Sequence, residues 1–211
     1  MNIRVYPAKK EVRISAPYYL RMSAVETFAA SKLPWIQKHL VNFKTRPPIP
    51  KLKFETGESH LVWGRKFELK VVEWNSSPKV MLHQNGILEL HVRRGSNQQK
   101  RGAVLKEWYR AEIKKEIPKL IEKWEGPIGV SVKEFGVKQM KTRWGTCNIR
   151  DGRIWLNLEL AKKSPDCLEY VVVHEMTHLL ERLHNKRFHG FMNQFLPNWR
   201  ETQKKMNGRI D

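Results

Sequence analysis

Apolar and polar residues alternate over NIRVY (2–6) and KEVRIS (10–15), which predicts two short strands, and Pro17 ends the extended run. Ser23 with Glu26 three positions later has the form of a capping box. It predicts a helix through AVETFAASKL that restarts at Pro34 as PWIQKHLVNF. RPPIP at 46–50 reads as a stiff connector. From 59 to 92 the pattern becomes SHLVWG, KFELKVVEW, KVMLH and ILELHV, punctuated by Gly64, Pro78 and Asn85-Gly86, which predicts a small antiparallel sheet. The polar stretch GSNQQK at 95–100 then marks a boundary between a β-rich N-terminal part with one broken helix, 1–96, and a second part, 97–211.

In the second part, Val104, Leu105, Trp108, Ile113, Ile117, Leu120, Ile121 and Trp124 recur at helical steps. They predict a long amphipathic helix over 99–124, kinked at Pro118. SVKEFGV, QMKTRWGTC and RIWLNLEL read as strands, the last two joined by a hairpin at Asp151-Gly152. Ser164-Pro165-Asp166 combines an N-cap residue, a first-turn proline and a first-turn acid, so a helix starts there. A last helix over 188–206 directs Phe188, Phe191, Met192, Phe195 and Trp199 inward. The fold class is therefore α+β.

The helix opened at Ser164 carries the chemistry, because it runs through HEMTHLLERLH (174–184) and so contains H-E-x-x-H. Each helical residue turns by about 100°, so His174 and His178 stand one above the other on one face and can grip one metal. Glu175 lies on the adjoining face, placed as a base toward a metal-activated water more than as a ligand. The uncharged flanks in VVVHEMTHLL predict a buried helix with one polar stripe.

Catalytic zinc takes three protein ligands, and the third is expected to be His184. Six residues past His178 it would face away on a continuous helix. The helix must therefore end near Arg182, with Asn185 suited to a left-handed helix-closing conformation. His189 and Glu201 are the competing ligands. The length H-E-x-x-H-x5-H equals that of the metzincins, but Glu181 stands where that motif has its turn glycine, which argues against a true metzincin. His39, His60, His83 and His91 receive no role.

Composition narrows the setting. The chain of 211 residues carries a net charge of +19, which favours polyanionic partners. The charge is spread along the chain, however, and no run of basic and aromatic residues matches a nucleic-acid module, so a nucleic-acid partner stands beside a generally basic surface as an expectation. No run of 18 apolar residues exists and MNIRVYPAKKEVR has no apolar core of an export signal, so no membrane span and a cytoplasmic location are expected. Cys147 and Cys167 lack C-x-x-C spacing and read as small packed residues.

RWGTC (143–147), RIWLN (153–157), YVVVHEMTHLLERLH (170–184) and RFHGFMNQFLPNW (187–199) together closely resemble the YgjP-like zinc-dependent hydrolases, which are related to zincin metallopeptidases. The N-terminal strands, WIQKHL and VWGRKFEL follow the same pattern, so the resemblance spans nearly the whole chain. It implies a zincin-like catalytic half with Zn2+ on His174, His178 and His184 and with Glu175 as catalytic base. His189 and Thr146 depart from the family's usual aromatic residue and Ser. The family has been linked to peptide hydrolysis and also to nucleotide pyrophosphate hydrolysis.

In a zincin-like site a strand beside the metal helix can pair with an extended substrate, and QMKTRWGTC or RIWLNL would be that strand. Arg143 suits a carboxylate or phosphate, and Asn157 could donate to a reacting oxygen, so both are expected substrate contacts. The expected function is that of a zinc-dependent hydrolase, with a peptide substrate leading and a nucleotide phosphoanhydride second. A nucleic-acid-associated binding protein with a structural metal is third.

Overall fold

The computed structural model describes residues 1–6, 11–44 and 52–207, and its contacts divide the chain into two units, Met1–Lys51 and Leu52–Asp211. In the first unit β1 (Asn2–Tyr6) and β2 (Glu11–Ser15) pair antiparallel, with Asn2 opposite Ser15. Helices α1 (Met22–Ser31) and α2 (Leu33–Lys44) follow, and the break falls where Pro34 would cost a helix its hydrogen bond. The expected capping box does not form. Arg21 is the N-cap, with no side-chain cap, and Ser23 lies inside the helix, its carbonyl accepting from Thr27 Oγ1. The RPPIP connector lies outside the described residues.

The second unit begins with β3 (Ser59–Val62), β4 (Arg65–Glu73), β5 (Lys79–Leu82) and β6 (Ile87–Val92), in the order β3-β4-β6-β5. Trp63 and Gly64 both have positive φ, as a two-residue hairpin turn between β3 and β4 requires. Contrary to expectation this sheet is mixed, because β4 and β6 run parallel, with Leu69 opposite Leu88, and β5 sits on the outer edge of β6. Periodicity of two shows which residues face the core; it does not show which strand lies alongside which.

Helix α3 (Gln98–Ile128) is longer than predicted. Asn97 caps it by accepting from Lys100 N–H, Gly129 closes it in the left-handed conformation, and Pro118 lies within it without ending it. Leu105, Tyr109, Ile113, Ile117 and Ile121, spaced by four, form its buried stripe. That stripe joins Leu69, Leu88 and Leu90 in one core, and Tyr109 Oη donates to Leu61 O at 2.7 Å. The packing division at Lys51/Leu52 thus differs from the expected 96/97 boundary: GSNQQK is polar because it is a surface turn, while the sheet before it and the helix after it share apolar surface.

Next come β7 (Glu134–Lys138), β8 (Gly145–Asn148) and β9 (Arg153–Asn157), in the order β7-β9-β8. β8 and β9 form the antiparallel hairpin expected at Asp151-Gly152, whereas β7 runs parallel to β9. After a 3-10 turn at Leu158–Lys162, α4 (Pro165–Thr177) crosses the unit with nine of its residues buried. Val171, Val172 and Val173 are poor helix formers in isolation. Burial decides their state, because α4 packs on α3, β8, β9 and the two C-terminal helices, and each fully buried aliphatic side chain contributes roughly 1.5–3 kcal/mol. The predicted last helix is two, α5 (Lys186–Phe195) and α6 (Trp199–Asn207), separated at Pro197.

Candidate metal centre

Helix α4 ends one turn earlier than the sequence suggests, with His178 as its C-cap and Glu181 N–H still bonded to Thr177 O. The chain then doubles back through Leu183. Asn185 is not the closing residue of α4. It is the N-cap of α5, with extended backbone, and its side chain accepts from Phe188 N–H at 3.0 Å. This short return brings His184 against the two helix histidines. The three ring centroids lie 4.7–4.9 Å apart, and one nitrogen of each ring falls within 4.8 Å of the others. Phe188 supports all three imidazoles from below at 4.7–5.0 Å.

The donor set fits a divalent metal. His174 Nε2 and His184 Nε2 face each other at 3.0 Å, a contact that two lone pairs tolerate only with a proton or cation between them. His178 Nδ1 lies 3.1 Å from Glu181 O, so Nδ1–H donates to that carbonyl and Nε2 is left as a lone pair. His174 Nδ1 is buried with no partner among the described residues. Burial, reinforced by the neighbouring His178, His184 and His189, pushes His174 down to about 3, and burial with His178 and His189 lowers His184. Both rings are therefore neutral at pH 7, which is the ligating form.

Glu175 is buried beside the triad without entering it. Burial pushes its carboxyl up to about 8 against the opposing pull of Arg143. It fits because position 145 is glycine. A Cβ there would stand 2.5 Å from Glu175 Oε1 and 2.7 Å from its Cγ. Gly145 lies inside RWGTC, but nothing in that stretch signals that a glycine there makes room for Glu175.

The triad lies in a cavity of about 1260 Å³ lined by residues between Arg143 and Met206. No residue of the β3–β6 sheet lines it, so that part of the N-terminal half does not shape the cleft. Arg143 lines the cavity and is exposed. Asn157 does not. It is buried, its Oδ1 accepts from Met140 and Glu159 N–H, and its Nδ2 donates to Met140 O and Arg143 O. Its amide holds the 140–144 loop, a different engagement from the substrate contact expected of it.

His189 also lines the cavity but stacks on Trp199 at 5.7 Å outside the triad, and Glu201 on α6 does not line it. Cys147 lines the cavity, half-buried, with its thiol pushed up to about 11 by burial, whereas Cys167 is fully buried. The other histidines given no role stand elsewhere. His60 is buried beside Glu58, His83 and His91 flank Glu89, and the side chain of His39 lies outside the described residues.

Three imidazoles converging from a helix and its return loop, with a buried carboxylate at their side, define a mixed α+β protein with a histidine triad able to hold a metal. The chain belongs to the YgjP-like family, whose metallopeptidase-domain model matches residues 1–209. No curated protein matches the sequence. Among solved structures, the metallopeptidase zymogen of Pyrococcus abyssi abylysin is similar at 17% identity and a TM-score of 0.40, over 43% of this chain and 90% of that one. The metallopeptidase zymogen of Methanocaldococcus jannaschii jannalysin is similar at 16% and 0.38, over 43% and 92%. No helix among the described residues is long and apolar enough to cross a membrane.

Proposed function

We propose that this protein is a zinc-dependent peptidase with a zincin-like site in which His174, His178 and His184 hold the metal and Glu175 is the general base. The observation that carries the reading is the cluster itself, three imidazoles with one nitrogen of each within 4.8 Å of the others and the buried Glu175 carboxyl beside them. Bound Zn2+ supplies Lewis acidity toward a carbonyl oxygen and a water molecule.

Glu175 does the proton work. Burial raises its carboxyl to about 8 against the weaker pull of Arg143, and added positive charge at the triad favours its ionised form. The carboxylate takes a proton from water as the oxygen attacks the amide carbon, and it returns that proton to the departing nitrogen as the C–N bond breaks. His178 is kept in the ligating tautomer by Glu181 O, and Gly145 keeps room for the carboxylate.

A peptide fits the surroundings because β8, the outer strand of its sheet, lines the cavity with Gly145 to Asn148 and bonds to a neighbouring strand on one side only. An extended chain can add to that edge through main-chain hydrogen bonds. Of the two strands proposed from sequence for this role, β9 is central and already paired on both sides.

The test is Glu175→Gln in the zinc-loaded protein, assayed on casein-derived peptides and on nucleoside triphosphates in parallel. Peptide turnover should fall by roughly 100- to 10,000-fold with the zinc retained. Undiminished turnover in the variant would exclude Glu175 as the base. Release of phosphate or pyrophosphate with no peptide cleaved by the parent would replace the peptidase reading with nucleotide hydrolysis.

A further inference from the structure

The cleft is asymmetric in charge. Arg143, Arg150 and Arg182 line it, all three exposed, and the one carboxylate lining it is the buried Glu175. Among the described residues no carboxylate lies within ion-pair distance of these three guanidinium groups. The acids next to them in sequence are already engaged. Asp151 binds Arg153 at 2.6 Å and accepts from Asn148, and Glu181 accepts from Leu183 N–H and approaches Arg187 at 3.9 Å. Arginines of the same unit outside the cleft do pair, as Arg110 does with Glu107 and Arg153 with Glu134. Arg143 acts on the buried Glu175 beyond ion-pair distance, and none of the three cleft arginines forms an ion pair among the described residues, so a low-dielectric concavity focuses their field.

Their placement follows the edge strand. Arg143 precedes Gly145 by two residues and Arg150 follows Asn148 by two, so they bracket β8 at its two ends, while Arg182 stands in the loop that carries His184 back to the metal helix. We infer that the cleft selects peptides with acidic side chains on both sides of the bond to be broken, read by Arg143, Arg150 and Arg182. This rests on the peptidase reading above and names its substrate class. Guanidinium groups meet carboxylates through paired N–H donors, which suits Asp and Glu side chains flanking a main chain laid along β8.

The aromatic residues of the cleft argue against a nucleotide as the ligand of these arginines. Trp199 is buried, with Tyr170 stacked at 6.3 Å, His189 stacked at 5.7 Å and Arg200 over its ring at 4.5 Å. Trp144 has Lys163 over its ring at 5.5 Å. A base entering the cavity would find Trp199 already stacked and one face of Trp144 covered by Lys163, whereas base binding ordinarily draws on free aromatic faces.

The experiment compares two quenched fluorescent peptides of identical centre, one with Glu and one with Gln at the two positions on either side, cleaved by the zinc-loaded full chain. An exposed ion pair changes an affinity by up to about fivefold, so three together predict a kcat/KM ratio of roughly tenfold or more in favour of Glu at low salt. The ratio should shrink as salt is raised. Arg143→Gln combined with Arg150→Gln should bring it to within about twofold of unity, and the Arg→Lys pair should restore part of it. Equal cleavage of both peptides by the parent, or a preference that survives the double Gln variant, overturns the inference while the peptidase reading stands. Cleavage of neither peptide alongside turnover of a nucleoside triphosphate overturns both.

Discussion

Two places in this chain gather histidines around a glutamate, and they have opposite character. On the β3–β6 sheet, Glu89 accepts from Lys70 at 2.9 Å and from His91 at 3.1 Å, with His83 at 3.3 Å, so its carboxylate is the hub. Those partners, Lys70 foremost, hold it well below the usual carboxylate range, at about 2. At α4 the imidazoles face one another, and Glu175 stands aside, buried, without a cation within ion-pair distance among the described residues. Burial pushes it up to about 8. The residue types match. What differs is whether the histidines converge on the carboxylate or on one another, and only the second arrangement brings three ring nitrogens together at one point.

The sharpest way to break the comparison is metal content. His174→Ala, His178→Ala and His184→Ala should each lose most of about one zinc per chain, with all hydrolytic activity. His83→Ala and His91→Ala should leave zinc at the parent level by atomic absorption. Retention of zinc by His184→Ala together with its loss from His189→Ala would mean the ligand set is wrong.

The next effect tests how Glu175 is housed. Gly145→Ala sets a methyl group 2.5 Å from Oε1, and a displacement on the order of 1 Å costs about 100-fold in turnover. Zinc should remain, since the three imidazoles do not touch position 145. Normal turnover in this variant would show that the carboxylate has slack.

The two glutamates should also oppose each other in the pH dependence of the metal-free protein's stability. Glu175 has a folded pKa raised from 4.5 to about 8, so its contribution is fully present below pH 4.5 and is lost as pH rises toward 8. The slope is at most about 1.4 kcal/mol per pH unit. Glu89 has a folded pKa lowered from 4.5 to about 2, so its contribution is present above pH 4.5 and is lost as pH falls through 2. Lys70 is half exposed, and solvent screens that effect. His174, lowered from 6.5 to about 3, adds to the acid loss between those values. Denaturation of Glu175→Gln should show the alkaline fall removed, and that of Glu89→Gln the Glu89 share of the acid fall. An unchanged alkaline limb in Glu175→Gln would contradict the buried-carboxyl account.

The smallest expected effect is that of Asn157→Ala. It strands the Met140 and Arg143 carbonyls and should cost about 1–3 kcal/mol. Urea denaturation measures this, and a variant of parental stability with impaired substrate affinity would return Asn157 to the substrate.

Much of the site was legible because helical geometry is local. His174 and His178 share a face through four-residue spacing alone, and the uncharged flanks announce a buried helix. The third imidazole was expected at His184, but its route back to the helix was not legible. Its arrival depends on α4 stopping at Thr177 and on Asn185 starting α5, where the sequence suggested a stop near Arg182 and a left-handed Asn185. Cap residues serve either end of a loop, so a short turn between helices has more than one reading until the second helix has something to pack on. Asn157 carries a related ambiguity: an amide that donates to a loop carbonyl and one that donates to substrate have the same letter.

The amino-acid sequence by itself determined the alternating strands, the long apolar stripe of α3, the H-E-x-x-H pair and the excess of positive charge, because each follows from residue type and near-neighbour spacing. Tertiary structure alone decided that β4 runs beside β6 in parallel, that β8 is an edge strand on the cleft, that Gly145 makes room for Glu175, and that Arg143, Arg150 and Arg182 line one cavity without an ion pair among the described residues. These depend on contacts between residues distant along the chain. Which segment lies beside which is chosen by the burial of shared apolar surface, a quantity that no local pattern contains.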